Sequence, residues 1–111
     1  MSKRSDFLLF DDIIENAQFV FDNTKNDTYN SFINDKMKLY AVIRAMEIIG
    51  EAAKVISEET KLKYCQIDWR EMSDFRNLLI HHYFGVSYKI LWSVIQNDLP
   101  HNYRLLKEIE L

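Results

Sequence analysis

The chain has 111 residues, 48% of them hydrophobic and 28% charged, which suffices for one compact domain with a real core and excludes disorder as the default state. With 2 glycines and 1 proline it lacks the turn residues that β-sheets require, so nearly all of it is expected to be helical. A formal net charge of −3 and a pI near 5.6 exclude a broad, sequence-independent nucleic-acid surface, which depends on many phosphate contacts, and leave room only for a small local positive site.

Ser5 is placed to cap a first helix whose apolar positions Phe7, Phe10, Ile14, Ala17 and Phe21 recur at intervals of three and four, with Asp11, Asp12 and Glu15 near its start. This helix ends near Asn23. The same opening, MSKRSDFLLFDDII, has basic residues and then a short apolar run, but Asp11 and Asp12 interrupt it too early for a signal peptide. No stretch of membrane-spanning length is free of charge. The single Cys65 has no internal disulfide partner, so a reducing, cytoplasmic setting is expected.

Residues 22–28 are polar and read as a loop, and TYNSFIN as a short helical turn before Asp35 caps a long second helix over about 35–59. Its apolar arc is wider than a surface helix needs, with Leu39, Val42, Met46 and Ile49 on one side and Ala41, Ala45, Ile48 and Val55 on another. Such a helix either crosses the middle of a bundle or offers a second face to a partner. Gly50 sits in its interior at a cost in stability, which implies close approach of another helix. Arg44, Glu47 and Glu51 form one stripe and read first as an intrahelical ion-pair run.

DWRE at 68–71 has the form of a capping box, with Asp68 accepting near Glu71 and Glu71 reaching back, so a third helix starts at Trp69 and has stopped by Gly85. Ser87 is placed to cap a fourth helix, YKILWSVIQNDL, and Pro100 kinks it or opens the final segment. The expected architecture is an all-α, antiparallel bundle of four main helices with short extra segments, one domain over residues 1–111. Trp69 and Trp92 read as core and interface residues before any base-stacking platform.

The segment FRNLLIHHYFGV, residues 75–86, carries more chemistry than a core requires. At about 100° per residue, Asn77 and His81 share one helix face and Arg76 and Tyr83 another, whereas Arg76 and His81 do not align. A site that uses both needs a helix that loosens near His81 or a second copy of the segment. Histidine exchanges a proton near neutral pH, and arginine holds a phosphate through paired hydrogen bonds. Metal-independent RNA cleavage asks for those groups: a base for the 2′-hydroxyl, an acid for the leaving oxygen and a cation for the crowded phosphate. A two-fold dimer with the segment at its axis supplies two histidines and two arginines. No metal is expected, because His81, His82, His101 and Cys65 make no recognised ligand spacing. No cofactor is expected either, since there is no glycine-rich phosphate loop.

Arg76 and Asn77, followed by His81 and Tyr83, match an R-N-x-x-x-H-x-Y signature, and RAMEIIGEAAKVISEE, IDWREMSDFRNLLIHHYFGV and LWSVIQNDLP extend the match along the chain. In these stretches the sequence resembles the HepT-like ribonuclease toxins, a branch of the HEPN superfamily. The resemblance implies a homodimer whose motifs face a shared cleft and cut RNA, tRNA among the candidate substrates, without a metal. It implies a nucleotidyltransferase-fold, MntA-type antitoxin as partner, with AMP transferred to Tyr83 to silence the cleft by charge and bulk. Arg76, His81 and Asn77 are the catalytic candidates, Tyr83 the AMP acceptor, and Arg44, Glu47 and His82 the supporting residues. Position 82 departs from the family, where a small residue, commonly glycine, is frequent. The competing reading is a non-catalytic helical subunit that presents substrate or nucleotide to a nucleotidyltransferase.

Overall fold

Side-chain caps set the helix starts. Ser5 Oγ accepts the Leu8 amide at 3.4 Å and Asp35 Oδ1 the Lys38 amide at 3.1 Å, each satisfying one of the amides that a helix N-terminus leaves open. The computed structural model describes residues 5–80 and 88–109, with the side chains of 76–80 outside that set. Among the described residues every regular element is helical: α1 (Asp6–Thr24), α2 (Tyr29–Asn34), α3 (Lys36–Val55), α4 (Glu58–Lys63), α5 (Trp69–Ile80), α6 (Tyr88–Ser93), a π-helical turn (Val94–Asp98) and α7 (Leu99–Lys107).

α3 occupies the centre, packed against α1 on one side and α5 on the other. That position accounts for much of its wide apolar arc, Ala45 included, whereas Ala41 and Val55 on the second side are exposed and Ile48 is only partly buried. Val42, Met46, Ile49 and Ala53 have no solvent exposure, and Gly50 is buried with them where the neighbouring helices close in. Ile13, Ala17 and Val20 of α1, Met72 and Phe75 of α5, and Leu91, Ile95 and Leu99 of the C-terminal stretch complete the same core. Each large apolar side chain so buried contributes about 1.5–3 kcal/mol before chain entropy is counted.

The α1 face is rotated from the expected one. Phe7 is 58% exposed and Ile14 and Phe21 are only partly buried, whereas Leu9, Phe10, Ile13, Ala17, Val20 and Thr24 face inward. Two apolar stripes exist on this helix, and contact with α3 selects the second. Thr24 is accommodated because its hydroxyl donates to the Val20 carbonyl at 2.8 Å.

The second helix is also shorter than the sequence pattern suggested. α3 ends at Val55, and Ser57 opens the separate α4 by accepting the Thr60 amide at 3.3 Å. Asp6, at the start of α1, reinforces this corner: its carboxylate accepts the Ser57 amide at 3.1 Å, the Ser57 hydroxyl at 2.6 Å and the Thr60 hydroxyl. Burial acts to raise the Asp6 pKa, but those hydrogen bonds and the nearby Lys61 outweigh it and hold the carboxyl below its ordinary value of 3.8. A depressed folded-state pKa means that this stabilisation is present above the unfolded value and is lost as pH falls through the folded one. Asp6→Asn is therefore expected to lower stability at neutral pH by about 1–2 kcal/mol and to flatten the acid limb below pH 3.8. Urea unfolding at neutral and acid pH measures both effects.

A second carboxylate ties α2 to α3. Asp27 accepts the Lys38 ammonium and the Ser31 hydroxyl, each at 2.8 Å, and the Lys38 bond is the first reason its pKa is lowered. At the other end of the chain, Ser93 and Leu99 both keep right-handed helical angles, so residues 88–107 form one interrupted helix. The interruption lies just before Pro100: the Leu99 amide reaches the Val94 carbonyl, one residue further back than in an α-helix, and the widened turn accommodates a proline that has no N–H to donate. The expected cap Ser87 and the stop Gly85 lie outside the described residues. Among the described residues no helix is long and apolar enough to cross a membrane.

Candidate functional site

α5 carries the first half of the motif. Its start is held by a device more elaborate than the expected capping box. Asp68 Oδ1 accepts the Glu71 amide at 2.9 Å, as anticipated. Glu71 does not return the favour: the Asp68 amide donates instead to Asn102 Oδ1 of α7 at 3.2 Å, and Asn102 Nδ2 donates to Glu71 Oε1 at 3.4 Å and to the Asp98 carbonyl at 3.1 Å. Asn102 is 1% exposed. It links the first turn of α5 to the C-terminal helix across 34 residues of sequence.

Glu71 is the member of this group whose charged form is disfavoured. Partial burial raises its pKa first, the Asp98 and Asp68 charges raise it further, and the Asn102 hydrogen bond only partly offsets them. Asn102→Ala would leave the Asp68 amide and the Glu71 carboxylate short of a partner in a half-buried setting. The expected loss is about 2–3 kcal/mol in denaturant unfolding, whereas an unchanged midpoint would show that solvent replaces the amide without penalty.

One turn further on, Met72 and Phe75 fix α5 against α3 with 0% and 3% exposure. Arg76 and Asn77 follow directly, and their backbone belongs to α5 while their side chains lie outside the described set. His81, His82 and Tyr83 lie outside the described residues altogether. Of the supporting candidates, Arg44 Nη1 meets Glu47 Oε2 at 3.2 Å within α3, with side-chain exposures of 63% and 29%. This i,i+3 pair matches the ion-pair reading, and at such exposure it is worth only a few tenths of a kcal/mol. Trp69 and Trp92 are packing residues: Trp69 is buried beside Phe10 with ring centroids 5.6 Å apart, and Trp92 lies 5.2 Å from Phe32.

Asn102 was not among the sequence candidates, although its signal is legible. It occupies the apolar stripe of α7 between Leu99 and Leu106, where a polar residue requires internal partners.

The sequence profile described as ribonuclease HepT-like matches residues 13–109. A Methanocaldococcus jannaschii protein named "Putative RNase MJ1380" is 46% identical over 111 residues, covering 100% of this chain and 99% of the relative. A second protein of that organism, "Putative RNase MJ0127", is 42% identical over 98 residues, 88% of this chain and 81% of its own length. "Probable ribonuclease HepT" of Thermococcus cleftensis is likewise 42% identical over 98 residues, 88% of this chain and 89% of its own. No solved structure matches at a significant level. Profile and relatives together span the helices from α1 to α7, and the chain belongs to the ribonuclease HepT-like family.

Proposed function

We propose that this protein is a metal-independent endoribonuclease, the toxin of a toxin–antitoxin pair, and that it acts in the cytoplasm as a homodimer. The observation that carries the reading is the Arg76-Asn77-x-x-x-His81-x-Tyr83 run in a chain whose ribonuclease-named relative aligns from end to end. One His81 imidazole takes the proton of the RNA 2′-hydroxyl as its oxygen attacks phosphorus. The bond to the 5′-oxygen breaks, and that oxygen leaves with a proton from the second imidazole. Arg76 holds the phosphate and offsets the charge that gathers on it. Asn77 positions the two groups, and Arg44, Glu47 and His82 support them.

An acidic protein can do this because its charge is unevenly spread. Residues 6–24 hold five of the 17 carboxylates and no lysine or arginine, so the rest of the chain carries 14 basic against 12 acidic side chains. Local positive potential at the paired motifs is therefore compatible with a net negative charge. Substrates of this class are RNAs, tRNA among them.

The test is to incubate the purified chain with RNA in EDTA. Cleavage is expected, and its absence with protein of native fold would reject the assignment. A nucleotidyltransferase-fold antitoxin is the proposed partner, adding AMP to Tyr83 and so placing negative charge and bulk where RNA phosphate binds. Tyr83→Phe should stay active yet resist silencing when antitoxin and ATP are supplied. Loss of activity at equal rates in Tyr83→Phe and the natural chain would place the modification elsewhere.

A further inference from the structure

The acidic helix α1 has a second use for its charge. Asp6 is committed to the α4 corner, but Asp11, Glu15 and Asp22 fall within a sector of about 40° on the outer face at 100° per residue. Asp22 accepts the Gln18 amide at 2.9 Å, and among the described residues neither Asp11 nor Glu15 has an ion-pair partner. Large apolar groups flank this acidic ridge: Phe7 is 58% exposed and Phe19 41%. Isolated apolar residues on a surface need no explanation, but these border a groove.

The groove runs between α1 and α7 as two adjoining depressions of about 240 and 520 Å³ that share Ile14 and Lys107. Its far wall is Tyr103, Leu106 and Lys107. That wall is tied to α1: the Tyr103 hydroxyl donates to Gln18 Oε1 at 2.7 Å and its ring meets Phe21 edge-on at 5.1 Å. Lys107, the one lysine or arginine among the described residues that line either depression, lies 5.9 Å from the Tyr103 ring. From Phe7 to Asp22 the groove is about 22 Å long at 1.5 Å per residue, or roughly four helical turns.

We propose that this groove is the docking site for a basic amphipathic helix of a partner protein. Its apolar stripe seats against Phe7, Ile14 and Phe19, and its lysines or arginines meet Asp11, Glu15 and Asp22. This is the helix-in-groove mode, with rim charge selecting the partner and its orientation. Like charge argues against the other occupants. A two-fold contact of α1 with α1 would oppose the five carboxylates of each copy, and RNA phosphate would meet the same ridge. The site stands whether or not the chain cuts RNA.

The test uses the full chain and a capped synthetic peptide of about 15 residues, with leucines at helical spacing and lysines beside them, against a peptide of the same composition shuffled to remove the period. Amide shifts in NMR and fluorescence anisotropy read the binding. The helical peptide is expected to shift amides of residues 7–22 and 103–109, and the shuffled one to bind about tenfold more weakly or worse. Asp11→Lys with Glu15→Lys, and separately Phe19→Ser, should each weaken the helical peptide by about tenfold or more; all three positions are exposed, and circular dichroism verifies the fold. Equal binding of the shuffled peptide, indifference to the charge reversal, or shifts outside the groove would overturn the proposal. So would an oligoribonucleotide, or self-association of the chain, that shifts these amides.

Discussion

His81→Ala is expected to lower RNA cleavage by about 10²–10⁴-fold, the usual share of positioned proton transfer, with no change in helical content. Histidine suits the task because it is the side chain that changes protonation near neutral pH. In a paired cleft one imidazole must be neutral to accept a proton while the other is charged to donate one. The rate should therefore rise and fall with pH, with two apparent pKa values that belong to the pair rather than to either copy. His81→Ala removes both limbs of that profile. Arg76→Ala should lose about 10²–10³-fold through the unbalanced phosphate charge and keep the profile. Arg76→Lys should not restore the rate fully, because a point charge replaces a planar two-pronged donor. Equal cleavage by His81→Ala and the natural chain, in fractions shown free of contaminating nuclease, would remove the histidine from the chemistry.

The largest effect on stability is expected from Phe32→Ala, at about 3–5 kcal/mol in urea unfolding. Phe32 has no solvent exposure and is the only buried residue of the six-residue α2. A helix that short has little stability of its own. Its place depends on the Phe32 ring, which tilts against Trp92 of α6, and on its contacts with α3 and α6. α6 starts at Tyr88, right after the segment that carries His81 and Tyr83. Truncation should therefore leave a cavity in the core and loosen α2 against α3 and α6. Trp92, half-buried against the ring, should report the change in its fluorescence. A loss under about 1 kcal/mol would mean that α2 collapses into the space, the outcome for a site that relaxes well.

What could be read in the sequence was what local chemistry decides. Ser5 and Asp35 cap their helices as their positions suggested, because caps act within a few residues, and the wide arc of α3 allowed a central helix or a partner-facing one, of which the structure shows the central packing. The rest depends on distant neighbours. Two stripes on α1 were both apolar, and only contact with α3 decided between Phe7, Ile14 and Phe21 and Leu9, Ile13 and Val20. Ser57 carried a local cap signal, with Glu58 and Glu59 after it and Lys61 and Lys63 at the end, but the helical propensity of the neighbouring residues hid it. Asp68 and Glu71 looked self-sufficient, yet Asn102 intervenes from another helix. The residue types of the candidate site were plain, since arginine, asparagine, histidine and tyrosine have few reasons to share one apolar segment. Five-residue spacing on one helix does not join Arg76 to His81, so a site that uses both rests on the proposed pairing of two segments.

In the proposed mechanism two copies of the Arg76–His81 segment form one cleft that cuts RNA without a metal. Specific activity in EDTA, followed as the chain is diluted while sedimentation reports its mass, tests this most directly. We predict that activity per chain falls with the fraction of dimer and returns on reconcentration. Constant activity per chain in samples that sediment as monomer would contradict the shared cleft.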